Sequence, residues 1–134
     1  METVHFNYPA ILVAALVSFV VGGAWYSPLL FAGVWMREAG LDDAALARTR
    51  LGRVFALAFL ASLVMAFNLS AFLGAKATLA FGAFAGFATG LGWVAMSLGI
   101  VYLFEQRSLK LWLVNAGCQV VTYTLMGAVI GGWR

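Results

Sequence analysis

Residues 77–104 read ATLAFGAFAGFATGLGWVAMSLGIVYLF, without a charged side chain from end to end. A helix over this stretch would be about 40 Å long at 1.5 Å per residue, enough to cross a hydrocarbon core about 30 Å thick. Three further uncharged runs, Thr3–Met36, Val54–Ala75 and Leu111–Trp133, share the property, and the four together take up most of the 134 residues. Hydrophobic residues make up 64% of the chain, charged residues 10%, and the mean hydropathy is +0.98, too little polar surface to face water. Unbroken runs of this length also lack the alternation of a membrane β-barrel. The expectation is an all-α integral membrane protein: a four-helix bundle in one domain, residues 1–134, with spans at about 9–26, 54–75, 79–104 and 111–133.

The ends of the runs are marked by local signals. A single helix over Thr3–Met36 would reach about 50 Å, so something must interrupt it. Ser27-Pro28 is the break: Ser27 can cap a new helix and Pro28 suits its first position. This predicts a short interfacial helix after the first span, over Leu29–Met36, with Trp25, Tyr26 and Trp35 at headgroup level. Gly40 closes it, and Asp42 reads as the cap of a helix that carries Asp43, Leu46, Arg50 and Arg53 into the second span. The short connections at Gly74–Thr78 and Glu105–Lys110 predict antiparallel neighbours in an up-down-up-down bundle. The amino terminus lacks the basic region of a secretion signal, so the first run reads as a permanent helix.

Charge sets an orientation. Arg37, Arg48, Arg50 and Arg53 lie in the first loop and Arg107 and Lys110 in the third, against Lys76 in the second loop and Arg134 at the end. Six basic residues against two place the first and third loops in the cytoplasm and both termini outside, which in a bacterial inner membrane means the periplasm. The net charge of +3 follows from these flanks and lipid headgroups, not from nucleic acid.

Small residues recur every fourth position: Ala10, Ala14, Ser18 and Gly22 in the first span; Ala58, Ser62, Ala66, Ser70 and Gly74 in the second; Thr78, Gly82, Gly86 and Gly90 in the third. Such rows let backbones approach closely in lipid, where apolar burial alone does not favour one helix over another. They predict packing at Gly22, Gly82, Gly86 and Gly90, with unused faces available for self-association into a homo-oligomer. Gly22-Gly23-Ala24-Trp25 also aligns with Gly90-Leu91-Gly92-Trp93, either a parallel duplication or a coincidence of glycine- and alanine-rich helices.

The fourth span carries Asn115, Gln119, Thr122 and Tyr123, hydrogen-bonding groups that lipid cannot satisfy. With Asn68 of the second span they read either as the lining of a track for a small solute or as interhelical bonds to Ser18, Ser62, Asn68 or Thr89. No Asp, Glu, Lys or Arg sits inside a span, so a proton-coupled exchanger that needs an embedded carboxylate has no candidate. Glu105 lies at the end of the third span beside Arg107 and Lys110, an interfacial charge cluster. His5 stands alone at the outer edge, a poor metal site, and Cys118 reads as a buried packing residue. Neither a cofactor nor a catalytic group is predicted.

Gly22-Gly-Ala-Trp-Tyr-Ser-Pro-Leu-Leu-Phe31 with Trp35-Met36, then Glu105-Gln-Arg-Ser-Leu-Lys-Leu111, Asn115-Ala-Gly and Met126-Gly-Ala, resembles the uncharacterised bacterial membrane family known as domain of unknown function 1761. The resemblance covers nearly the whole chain and implies a small four-span membrane protein. Cys118 departs from the aromatic residue expected after Asn-Ala-Gly. The family supplies no site residues, so the functional expectation rests on the polar row: a non-enzymatic protein that binds or passes a small solute, or a scaffold with no substrate. A lipid-modifying enzyme would have to use Glu105 or the Trp-Tyr-Ser-Pro segment.

Overall fold

The computed structural model describes residues 6–133; His5 and Arg134 lie outside the described residues. The helices in chain order are α1 (Tyr8–Trp25), α2 (Ala32–Ala39), α3 (Asp43–Ala47), α4 (Leu51–Leu73), α5 (Leu79–Thr89), a π-helical segment (Gly90–Ala95), α6 (Met96–Phe104) and α7 (Leu109–Gly132). Four of the resulting rods are long and apolar enough to cross a membrane: Tyr8–Trp25, Leu51–Leu73, Leu79–Phe104 and Leu109–Gly132. Many large apolar side chains face outward, among them Val20, Leu57, Leu60, Phe84 and Leu103. An apolar surface on four membrane-length rods suits a lipid surround, and the chain is an integral membrane bundle of four helices.

Capping side chains set most starts. Asn7 Oδ1 accepts the Ala10 N–H at 3.1 Å, Thr78 Oγ1 that of Phe81 at 3.1 Å and Ser108 Oγ that of Leu111 at 3.1 Å. The Asn7 amide also donates to the Trp133 carbonyl at 3.2 Å, tying the start of the first span to the end of the fourth. Asp42 Oδ1 accepts from Ala45 N–H at 2.7 Å and caps α3. That helix does not run on into the second span. It stops at Ala47, the chain turns through Arg48–Arg50, and α4 starts afresh at Leu51. The role of Ser27 also differs from its sequence reading. Its hydroxyl donates back to the Ala24 carbonyl at 2.7 Å, closing α1 instead of capping α2, which begins four residues beyond Pro28 without a side-chain cap. Gly40 ends α2 at a φ of 72°, with Leu41 N–H reaching the Met36 carbonyl at 2.8 Å.

The packing is organised around α7. One side of it meets α5 and the π segment, another meets α1, and α4 packs chiefly on α1 with a smaller contact to α7. The second and third spans, expected as close antiparallel neighbours, barely touch. Each is drawn to a better partner. Gly82 and Gly86 of α5 bring their backbone against Gly127, Tyr123 and Gly131 of α7, so near that a β-carbon at Gly82 would overlap the Gly127 carbonyl. On the other side Ala10, Ala14 and Ala66 are fully buried, and Ser18 donates to Ser62 at 2.8 Å across the α1–α4 contact. The short Gly74–Thr78 link therefore joins two helices that diverge.

All four spans meet in one core at the end of the bundle that carries the termini: Ile11 and Ala14, Ala66, Leu69 and Leu73, Ala85, Met126 and Ile130. Towards the arginine-rich loop the first and second spans separate. Gly22, expected in a packing row, has no heavy atom within 4 Å of where a β-carbon would stand, and it faces an open groove.

Candidate functional site

The polar row of α7 divides into a closed half and an open half. At the closed half, Asn115 Oδ1 accepts from the Tyr26 hydroxyl at 2.6 Å, and its Nδ2 donates to the Tyr102 hydroxyl at 2.7 Å. One carboxamide thus joins the ends of the first and third spans to the fourth. The indoles do the same through the backbone: Trp25 Nε1 donates to the Val114 carbonyl and Trp112 Nε1 to the Ala95 carbonyl, both at 2.8 Å. Glycines make room for both rings, Gly117 beneath Trp25 and Gly99 beside Trp112. Trp35 of α2 packs on Tyr26 with ring centroids 5.1 Å apart, and Phe31 lies on Trp25 at 4.8 Å. The Trp-Tyr-Ser-Pro segment is thereby a clamp on α7. Cys118 is buried, its sulfur 4.0 Å from the Thr122 hydroxyl.

At the open half, Tyr123 faces the gap left by the diverging second and third spans. The cleft has a volume of about 460 Å³ and is walled by Val64, Met65, Leu69 and Phe72 of α4, by Thr89 and by Trp93 and Val94 of the π segment. Asn68 stands at its edge, exposed, its Nδ2 donating to the Val64 carbonyl of its own helix at 2.8 Å. Neither its Oδ1 nor the Tyr123 hydroxyl has a hydrogen-bond partner among the described residues, and Gln119 has none either. Asn68 also borders Tyr8 and Leu12 of α1, so it sits about a turn and a half from the end of its span and not at mid-depth.

The π segment decides the shape of this cleft. A π turn inserts an extra residue into the helix and rotates the residues after it. It leaves Trp93 69% exposed on the cleft wall and Ala95 with a carbonyl for Trp112. Trp25 and Trp93 are therefore unlike, one a bonded clamp at a helix end and the other a mid-span wall.

The expected partners of the row bond elsewhere. Ser18 and Ser62 bond each other, Thr89 bonds the Ala85 carbonyl and Asn68 its own helix. In the third loop Arg107 Nε meets Glu105 Oε2 at 2.7 Å, both exposed, while Lys110 makes no ion pair among the described residues. The adjacent carboxylate raises the Arg107 guanidinium above its ordinary value, so it stays charged at any working pH. Arg107 also lies 5.8 Å over the Tyr102 ring, linking this pair to the Asn115 knot. Among the described residues no group of three His, Cys, Asp or Glu side chains comes together as a metal site would need.

A four-span bundle with a side cleft and a clamped, arginine-rich first loop defines a class of small polytopic membrane protein. Within it, residues 9–131 match the family described as protein of unknown function (DUF1761), and the chain belongs to that family. No curated protein and no solved structure matches it.

Proposed function

We propose that this is a non-enzymatic binding protein of the bacterial inner membrane, in which the α4/α5 cleft takes a small uncharged amphiphile directly from the lipid. The observation that carries the reading is that two polar side chains from different spans, Asn68 and Tyr123, border one apolar cleft with hydrogen-bonding capacity left over. The Asn68 carboxamide oxygen and the Tyr123 hydroxyl are free to bond, and a ligand with an apolar body and one hydroxyl or carbonyl can use them while its body covers the apolar walls. The volume is within the range of small-molecule sites, and Trp93 offers a flat face for an aromatic ring. Passage along the whole row of α7 has less support, because both ends of the Asn115 amide are already engaged.

The probe 1-naphthol tests the reading in detergent-purified protein. Its melting temperature rises saturably with the probe, and Asn68→Leu and Tyr123→Phe each weaken binding about five- to tenfold, the equivalent of one neutral hydrogen bond. The unliganded melting temperature stays the same in both variants. A response that grows linearly with probe concentration in all three proteins is detergent partitioning and contradicts the proposal. The competing reading is a self-associating scaffold in which a second copy closes the cleft. A dimeric mass in mild detergent that is lost with Asn68→Leu favours it.

A further inference from the structure

A second groove, between α1 and α4, plays no part in the site above and differs in chemistry from end to end. Its walls are apolar, Phe19, Gly22 and Gly23 facing Val54, Phe55 and Ala58, with a volume of about 580 Å³. The Ser18–Ser62 pair closes its deep end. The groove exists because side chains are missing: at Gly22 and Gly23 nothing lies within 4 Å of a β-carbon. Its mouth opens towards the first loop. At this end of α4 stand Arg53 in its first turn, Arg50 just before it, whose carbonyl accepts the Val54 N–H at 3.1 Å, and Arg48 in the preceding turn, all three exposed. No acidic residue interrupts positions 48–53, and none of the three arginines makes an ion pair among the described residues. Trp35 and Tyr26 border the mouth at the level where amphipathic rings meet headgroups.

We infer that this groove and its arginine rim form a binding site for one anionic phospholipid. One acyl chain lies between α1 and α4, and the phosphate sits among Arg48, Arg50 and Arg53. A single flexible chain fits, and three arginines held in no ion pair among the described residues favour a negative headgroup over a zwitterionic one.

Native mass spectrometry after incubation with dioleoyl phosphatidylglycerol or dioleoyl phosphatidylcholine tests the site. The protein retains one phosphatidylglycerol at least about tenfold better than phosphatidylcholine. Gly22→Leu fills the groove without meeting any backbone and abolishes that retention, whereas Gly92→Leu, also in open space but on the third span, leaves it intact. Replacing Arg48, Arg50 and Arg53 together by Gln brings phosphatidylglycerol down to the phosphatidylcholine level. Should Gly22→Leu fail to purify, Ala58→Leu fills the same groove from the other wall. Equal retention of the two lipids by the unmodified protein, or full retention in the groove-filling variant, overturns the inference.

Discussion

Asn115 and Gln119 stand one turn apart on α7, yet only Asn115 has partners: it holds two tyrosine hydroxyls at once, while Gln119 is half-buried and unbonded. Their substitutions should therefore separate. Asn115→Leu strands both hydroxyls and lowers stability by about 1–2 kcal/mol, whereas Gln119→Leu changes it by less than about 0.5 kcal/mol. Unfolding in matched detergent, followed by circular dichroism, measures the difference, and equal losses would show that the knot is not what holds α7. The sequence displayed the row but not this division. A spacing of four places Asn115, Gln119 and Tyr123 on one side of a helix. It does not say which neighbour each will meet, because Tyr26 and Tyr102 come from other spans and nothing in their own segments marks them as partners of Asn115.

At the scale of elements, the glycine rows separate in the same way. Gly82, Gly86 and Gly90 are buried against α7, but Gly22 and Gly92 face open space. A β-carbon at Gly86 overlaps the Tyr123 carbonyl, backbone that cannot rotate aside. Gly86→Leu should accordingly cost more than the about 1–3 kcal/mol of ordinary overpacking and prevent the third and fourth spans from docking. Gly22→Leu should fold normally. Size-exclusion profiles and thermal aggregation compare them, and normal behaviour of Gly86→Leu would mean that the glycine seam is not a contact. Span positions and the Asp42 cap are legible as local patterns, whereas the Thr78 and Ser108 caps emerge only from the structure. The π segment is not legible either: Gly90-Leu-Gly-Trp-Val-Ala95 carries no signal distinct from an α-helix. The position of Trp93 on the cleft wall depends on that segment.

For the whole molecule, hydropathy gave four rods and loop length gave a wrong pairing. A short link fixes only where two helices begin, and the partners are then chosen by surfaces: glycine against glycine for α5 and α7, alanine and serine against each other for α1 and α4. The main contacts run from α4 to α1, α1 to α7 and α7 to α5, so that α4 and α5 share little beyond the common core and the cleft opens between them. The six-to-two bias of basic residues is the ground for placing the arginine-rich loop in the cytoplasm. A cysteine at Ser108, in a Cys118→Ala background, should react with an impermeant maleimide only after the cells are opened. Reaction in intact cells would reverse the orientation without altering the bundle.

The order of the helices is the central claim, and paired-cysteine oxidation in native membranes tests it most directly. In the Cys118→Ala background, Ser18→Cys with Ser62→Cys should form a disulfide readily, since the two hydroxyls are 2.8 Å apart. Val64→Cys with Val94→Cys, on opposite walls of the α4/α5 cleft, should remain reduced under the same oxidant and be joined only by a long bifunctional reagent. Rapid oxidation of the Val64–Val94 pair, with the Ser18–Ser62 pair left reduced, would contradict the account by showing a closed bundle in which the second and third spans are neighbours and no cleft exists.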